Sequence, residues 1–530
     1  MRSQDVVLAI DLGTGGPKVA VIDETGSTLA WSARPVVTTM LPPDGAEQDP
    51  HSMWAAVVEA THATLAAWGG DVRALRAVAV TSQFMSTIPV DSDGLPVGPC
   101  IMWMDSRGGA DNLALLNDRS FPMWIDRHGL IPLPSGTDGL GHIAVLRREH
   151  PDAFARAASF VEPMDYINAR LTGRVCATQN TAFPFATVDN RTWGAVAHDP
   201  DLVAAAGVDL HRLPPLVPLT GFIGEVTRTA ADQLGLAAGT PVTTGTIDSV
   251  TSAVGSGALT ERDGSIMIGT TAVMVSHIDA KRGDVGSGLI GLPSPVPERY
   301  FVMAENGLGG RALEWFLRSV VYPDDAFATN PTGALPEDAY ARAEAAAASI
   351  APGCEGALFL PWLLGSIAPA PSDDARSAFA GLGLQHTRAH LARAVFEGVA
   401  LNLAWLLPYM EEFIGNRLPF VRFGGGGAQS DLWSQILADA LGVPVHQLDD
   451  PRTMNARGAA FLAFAALGTL SLEDVPSLLR VRAVRDPDPA AALAMADALA
   501  RLRALHPHHA ALSSITQHDP STVTNPEVSP

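Results

Sequence analysis

The chain has 530 residues, 47% of them apolar, with a formal net charge of -21 and three cysteines. That length exceeds what one core usually organises, so two or more well-cored domains are expected, and the negative field excludes long-range attraction of nucleic acid or anionic membranes. Cys100, Cys176 and Cys354 are widely separated and match no metal spacing, which suits a reducing compartment. No secretory leader is read in residues 1–5 and no uncharged apolar run reaches membrane-spanning length, so a cytoplasmic protein is expected.

The first informative element is an apolar strand, Leu8-Ala9-Ile10, that ends at Asp11, passes Gly13-Thr14-Gly15-Gly16, meets Lys18 and returns as a second apolar strand ending at Asp23. Such a hairpin holds an acid, unshielded backbone N–H groups, a hydroxyl and a cation in one tight loop, as a polyphosphate with magnesium requires. A Walker loop would open a helix instead. The alternative is an ordinary hairpin turn with its own Asx and Thr bonds. Helical spacing follows at Met53 to Ala67, with Trp54, Val57, Val58, Thr61 and Leu65 on one face. Val78 to Thr81 and Ile88 to Val90 are strand-like, and Asp91 to Gly94 closes another hairpin.

Trp103-Met104-Asp105-Ser106-Arg107 offers an aromatic face with an acid and a base two apart, a combination that can clasp a polyol. The alternative is a local ion pair. A Pro- and Gly-rich stretch, 131–141, leads to a helix from near His142, and Met164 to Leu171 stops at Thr172-Gly173 as a C-terminal glycine dictates. Pro241 to Thr244 then gives a strand, Gly245 to Asp248 a turn and Ser249 to Val254 a small-residue helix. Asp248 sits at a strand end, where α/β folds place ligands, with no Lys or Arg near it in sequence. It is the candidate general base, or else an N-cap.

Ser265 to Ile268 runs into Gly269-Thr270-Thr271, and Phe420 to Phe423 into four glycines, Gly424 to Gly427, followed by a helix from Asp431 to Leu441 capped by Ser430. A dinucleotide fingerprint fails there, because its third glycine falls on Gln429; the run suits close approach of a flat or anionic ligand, or a tight packing turn. Glu337 to Ser349 and Ala490 to Leu505 are expected to be plain surface helices. His506, His508 and His509 are expected in solvent, and residues 513–530 as a disordered tail. Strand–glycine–polar turns in both halves imply two similar α/β domains facing a central cleft, with the boundary at 257/258, a helical extension over 476–512 and the tail after it.

In order and spacing these pieces resemble the FGGY carbohydrate kinases, and the xylulokinase-like members most closely. The resemblance spans most of residues 6–465 and includes Glu47-Gln48-Asp49-Pro50, Gln83, Asp165-Tyr166-Ile167, Gly309-Gly310 with Trp315, Arg393 to Val399, and Gly458-Ala459-Ala460. It implies two ribonuclease H-like domains of the actin/hexokinase type, with ATP and Mg2+ between them and a small sugar or polyol as acceptor. It also allows a homodimer. By position, Asp248 is the implied base and Asp11 the magnesium-side acid. Thr14, Gly15, Gly16, Lys18, Gly269, Thr270 and Gly310 are implied at the phosphates, and Gly425, Gly426 and Ser430 at the adenosine. Gln83, Phe84, Met85, Trp103 and Asp105 are implied at the sugar.

This chain departs from the family pattern on the sugar side. Gln83-Phe84-Met85-Ser86 stands where xylulokinases usually carry Gln-Met-His-Gly, His142 where the family has a lysine, and Gly365-Ser366-Ile367-Ala368-Pro369 where a Gly-Glu-Arg is usual. The competing expectations are a regulatory relative that binds without transfer and an actin-fold ATPase with no sugar.

Overall fold

The computed structural model describes residues 5–284, 286–326, 334–372 and 374–516. In the first half these form β1 (Val6–Gly13), β2 (Gly16–Asp23), β3 (Thr28–Ala33), α1 (Pro50–Trp68), β4 (Leu75–Ser82), α2 (Pro163–Thr172), β5 (Phe222–Glu225), β6 (Pro241–Thr243), β7 (Thr246–Ile247) and α3 (Asp248–Gly255). The second half contributes β8 (Ser265–Ile268), β9 (Thr271–Ile278), β10 (Gly283–Asp284), β11 (Leu289–Pro293), β12 (Tyr300–Leu308), α4 (Gly310–Phe316), α5 (Arg388–Ile414), β13 (Val421–Gly424), α6 (Asp431–Leu441), β14 (Val445–Leu448), α7 (Met454–Ala466), β15 (Val481–Arg485) and α8 (Pro489–Thr516).

The two sheets repeat one topology. The first runs β5-β6-β4-β1-β2-β3, with β7 also on β4; the second runs β10-β11-β12-β9-β8-β13-β14-β15. In each, an antiparallel meander (β1-β2-β3, β8-β9-β12) leads to strands parallel to its first member (β4 then β6, β13 then β14). This is the paired ribonuclease H-like architecture that the sequence implied.

Alternation along β1 divides the core. Leu8, Ile10 and Leu12 face Met53, Trp54, Val57 and Ala60 of α1. Val7 and Ala9, with Ala20, Ala77 and Ala79, face Ala456, Ala459, Ala460, Ala463 and Phe464 of α7. The small side chains on that face let α7, a helix of the second half, lie close on the first sheet. There it crosses α3 backbone to backbone: a Cβ on Gly458 would sit 1.8 Å from the Thr251 carbonyl oxygen, and one on Gly255 would sit 2.2 Å from that of Met454.

Several local expectations need revision. α1 starts at Pro50 with Asp49 as its N-cap, and the helix expected from His142 starts at Gly139 behind Asp138. The Ala490 helix is no plain surface helix: in α8, Met495, Ala498 and Leu502 are buried against Trp362, Leu401 and Trp405. His506 is buried as well, edge-on to Trp362 and Trp405 at 4.8 and 5.2 Å, because α8 runs on past the point where solvent exposure was expected. Residues 513–516 continue that helix, and the rest of the expected tail, 517–530, lies outside the described residues. α5 is the one described helix long and apolar enough to cross a membrane, and 89% of its apolar window is buried as the core of the second half.

The α3–α7 crossing gives a stability test. Gly458→Ala forces the helices apart and is expected to cost at least about 1–3 kcal/mol, read as a lower urea midpoint at unchanged slope. Gly426→Ala, whose Cβ meets nothing within 4 Å, serves as the control that leaves the midpoint in place.

Candidate active site

Strand parity aims the first acid. Asp11 pairs with Lys18 on β2 and with Thr81 on β4, on the same face of the sheet as Val7 and Ala9. At this end that face looks at α3, where Thr81 Oγ1 lies 3.0 Å from Thr251 Oγ1. Gly245, at φ 68°, turns the chain from β6 towards α3, and a Cβ there would sit 2.4 Å from the Val80 carbonyl oxygen. The N-cap of α3 is Ile247, so Asp248 is the first helical residue and not the cap.

Asp248 is half-buried at this junction and accepts a hydrogen bond from Ser249 Oγ at 3.2 Å. Burial, followed by repulsion from Asp11, raises its carboxyl to about 7, with Lys18 working in the opposite direction. Attraction to Asp11 raises the Lys18 ammonium despite its burial. Lys18 Nζ is 3.4 Å from Asp11 Oδ2, while Asp11 Oδ1 is buried without a hydrogen-bond partner. An orphaned carboxylate oxygen facing a second acid fits a divalent cation shared with phosphate oxygens, since magnesium is usually held by one or two carboxylates together with substrate phosphates. Among the described residues no group of three or more His, Cys, Asp or Glu forms a cage on its own.

The hairpin tip splits its duties. A Cβ on Gly16 would lie 2.1 Å from the Arg34 carbonyl oxygen, and φ there is 120°, so only glycine fits. Gly15 is exposed, and a Cβ there would meet nothing within 4 Å. The Thr14 hydroxyl, expected at the phosphates, is committed elsewhere: it donates to Gln83 Oε1 at 2.9 Å and accepts from the Trp103 indole at 3.0 Å. Gln48 Nε2 donates to the Thr14 carbonyl at 2.7 Å. The hairpin is thereby bonded to the wall expected to hold sugar.

Along that wall Phe84 packs on Phe183, with ring centroids 6.4 Å apart. Met85 sits at φ 60°, a left-handed conformation that costs a residue with a side chain about 1–3 kcal/mol. Ser86 anchors it: its N–H donates to Glu162 Oε2 at 3.3 Å, and its hydroxyl accepts from the Trp103 N–H at 3.1 Å.

Asp105 requires a correction. It is fully buried, and both oxygens are occupied by Arg107, the Ala46 N–H or both, while Arg107 also pairs with Glu47 and Glu149. The ion-pair alternative holds, and no oxygen of Asp105 remains for a sugar.

The second half assembles its own cluster. Gly269 and Thr270 form the exposed tip of the β8–β9 hairpin. Gly310 N–H donates to the Gly269 carbonyl at 2.8 Å and Gly309 N–H to that of Thr270 at 3.0 Å, bringing the start of α4 to the tip. A Cβ on Gly425 would lie 2.7 Å from the Ile268 carbonyl oxygen, so the glycine run packs on the end of β8, and Gly426 is left exposed. Ser430 caps α6 as expected, accepting from Trp433 N–H at 3.0 Å.

Two acids escaped the sequence motifs. Glu162 precedes α2, is buried with Oε1 unpartnered, and has its carboxyl driven well above the ordinary range by that burial. Glu305 is the acid that follows the apolar run Tyr300 to Ala304 in β12, and that break in the pattern was its available signal.

Models of the FGGY carbohydrate kinases match the chain, the N-terminal domain over residues 6–255 and the C-terminal domain over 264–467. A xylulose kinase of Staphylococcus epidermidis is 25% identical over 495 residues, 92% of this chain and 93% of that protein. A gluconokinase of Bacillus licheniformis is 25% identical over 473 residues, 89% of each. The crystal structure of xylulose kinase from Rhodospirillum rubrum superposes with a TM-score of 0.79 at 26% identity, over 96% of this chain and all of that one. The chain belongs to the FGGY family of carbohydrate kinases and is an ATP-dependent carbohydrate kinase.

Proposed function

We propose that the enzyme transfers the γ-phosphoryl group of ATP to a hydroxyl, most simply a primary one, of a ketose or polyol, with Asp248 as general base. The observation that carries this reading is the Asp248 carboxyl, raised to about 7 at the head of α3 beside the Asp11–Lys18 pair. As the acceptor oxygen bonds to the γ-phosphorus and the bond to ADP breaks, Asp248 takes the hydroxyl proton and later releases it to solvent. Asp11 would hold Mg2+, which when bound supplies charge neutralisation at the phosphates.

Lys18, the exposed Gly15 backbone, the Gly269-Thr270 tip and the Gly310 N-terminus of α4 surround the polyphosphate in this reading, with Gly425 and Gly426 on the adenosine side. Gly16 and Ser430 shape their loops. Gln83, Phe84, Met85 and Trp103 line the acceptor wall. Residues 1–257 carry the acceptor side and 258–475 the adenosine side. Their closure excludes water, so that sugar and not solvent accepts the phosphoryl group.

Asp248→Asn is expected to lower sugar-dependent ADP release by about 10²–10⁴-fold while nucleotide binding persists, and unchanged turnover would remove Asp248 from the role of base. Because the carboxylate is the active form, kcat/KM should rise tenfold per pH unit below about 7 and level off above it. Lys18 lowers the Asp248 pKa, so in Lys18→Met the acid limb should move to higher pH, measured as a displaced midpoint of the residual activity.

A further inference from the structure

Glu305 offers a reading of the acceptor that rests on the kinase assignment but goes beyond it. On β12, Val302 and Ala304 point into the core of the second half, whereas Phe301 and Met303 belong to the apolar cluster that also takes in Phe84, Ile247 and Val250, the last two on either side of Asp248 in sequence. Glu305 has the parity of Phe301 and Met303 and lies opposite Val273, another member of that cluster. It therefore projects from the second half towards the acceptor wall of the first, between Met303 and the Gly309-Gly310 turn. The carboxylate is half-buried and has no hydrogen bond or ion pair among the described residues. Burial alone raises its pKa, with no neighbouring charge contributing.

The elements framing this space offer no spare cation among the described residues. Lys18 is held by Asp11, Arg107 by Asp105, Glu47 and Glu149, and Arg311, just past the Gly309-Gly310 turn, by Glu314. Lys281 donates to the carbonyls of Ile125 and Asp126. His142 and His128 are buried, and that burial lowers each to about 4, so both are neutral. A pocket that drives its own carboxyls towards the neutral form charges the same penalty to any carboxylate brought into it. In an aldonate the carboxylate sits at the opposite end of the chain from the primary hydroxyl. With that hydroxyl at Asp248, it would extend away from the base into the cation-free end.

We propose that the acceptor site selects uncharged ketoses or alditols against aldonates, and that Glu305 is the residue that enforces this choice by reading hydroxyls from the second half. The test uses matched pairs differing only at C1, D-glucitol with D-gluconate and xylitol with D-xylonate, together with D-xylulose. Calorimetric binding and ADP release are measured on the wild type, Glu305→Gln and Glu305→Lys. The neutral member of at least one pair should bind at least tenfold more tightly. Glu305→Gln should weaken that binding several-fold and narrow the ratio, and Glu305→Lys should shift the ratio towards the aldonate, with circular dichroism showing both variants folded. Equal or better binding of the aldonates, a ratio unmoved in both variants, or no binding of any compound would overturn the inference. Selective binding without ADP release would overturn phosphoryl transfer and leave the selectivity standing.

Discussion

The crossing of α3 over α7 is the contact on which the site depends. Two glycines, Gly255 and Gly458, remove the side chains that would hold these helices apart, and the backbones meet where Thr251 faces Gly458. α3 carries Asp248 on its first turn, and α7 belongs to the second half while lying on the sheet that carries Asp11. The position of the proposed base relative to the β1–β2 hairpin is thus set by this side-chain-free contact together with the pairing of β7 on β4. The alanine-rich faces of β1, β2, β4 and α7 extend the same arrangement: small residues trade buried area for close approach.

That geometry creates the electrostatics. Two carboxylates and one ammonium share the end of a sheet, and there Asp248 does not behave as it does in water. Attraction to Asp11 raises the Lys18 ammonium, while burial first and Asp11 second raise the Asp248 carboxyl. The proposed base is thereby poised near neutrality by where these residues sit.

Much of this was legible in the sequence because the signals were local. The β1–β2 hairpin, the Gly173 stop of α2 and the Ser430 cap of α6 each depend on residues a few positions apart. What remained hidden was set by distant partners. Asp105 resembled a sugar ligand until the structure showed Ala46, Arg107 and Glu47 gathered around it. His506 resembled a solvated tail residue because nothing near it in sequence announces Trp362 and Trp405. Thr14 was read as a phosphate ligand from its loop, yet its hydroxyl is directed by Gln83 and Trp103, 69 and 89 residues away. Glu305 was not singled out in the sequence, because the face it occupies is decided by its pairing with β9.

The Thr14 hydroxyl ties the β1–β2 hairpin to the proposed acceptor wall. A hydroxyl has a single proton to give, and here it goes to Gln83 while the lone pairs take the indole N–H of Trp103. In the proposed site, an acceptor hydroxyl that donates to Gln83 Oε1 would share that oxygen, which has two lone pairs, with the Thr14 proton. In the proposed reading, an occupied acceptor wall would be linked to the β1–β2 hairpin through one rotatable O–H bond, a link that needs no movement of the backbone.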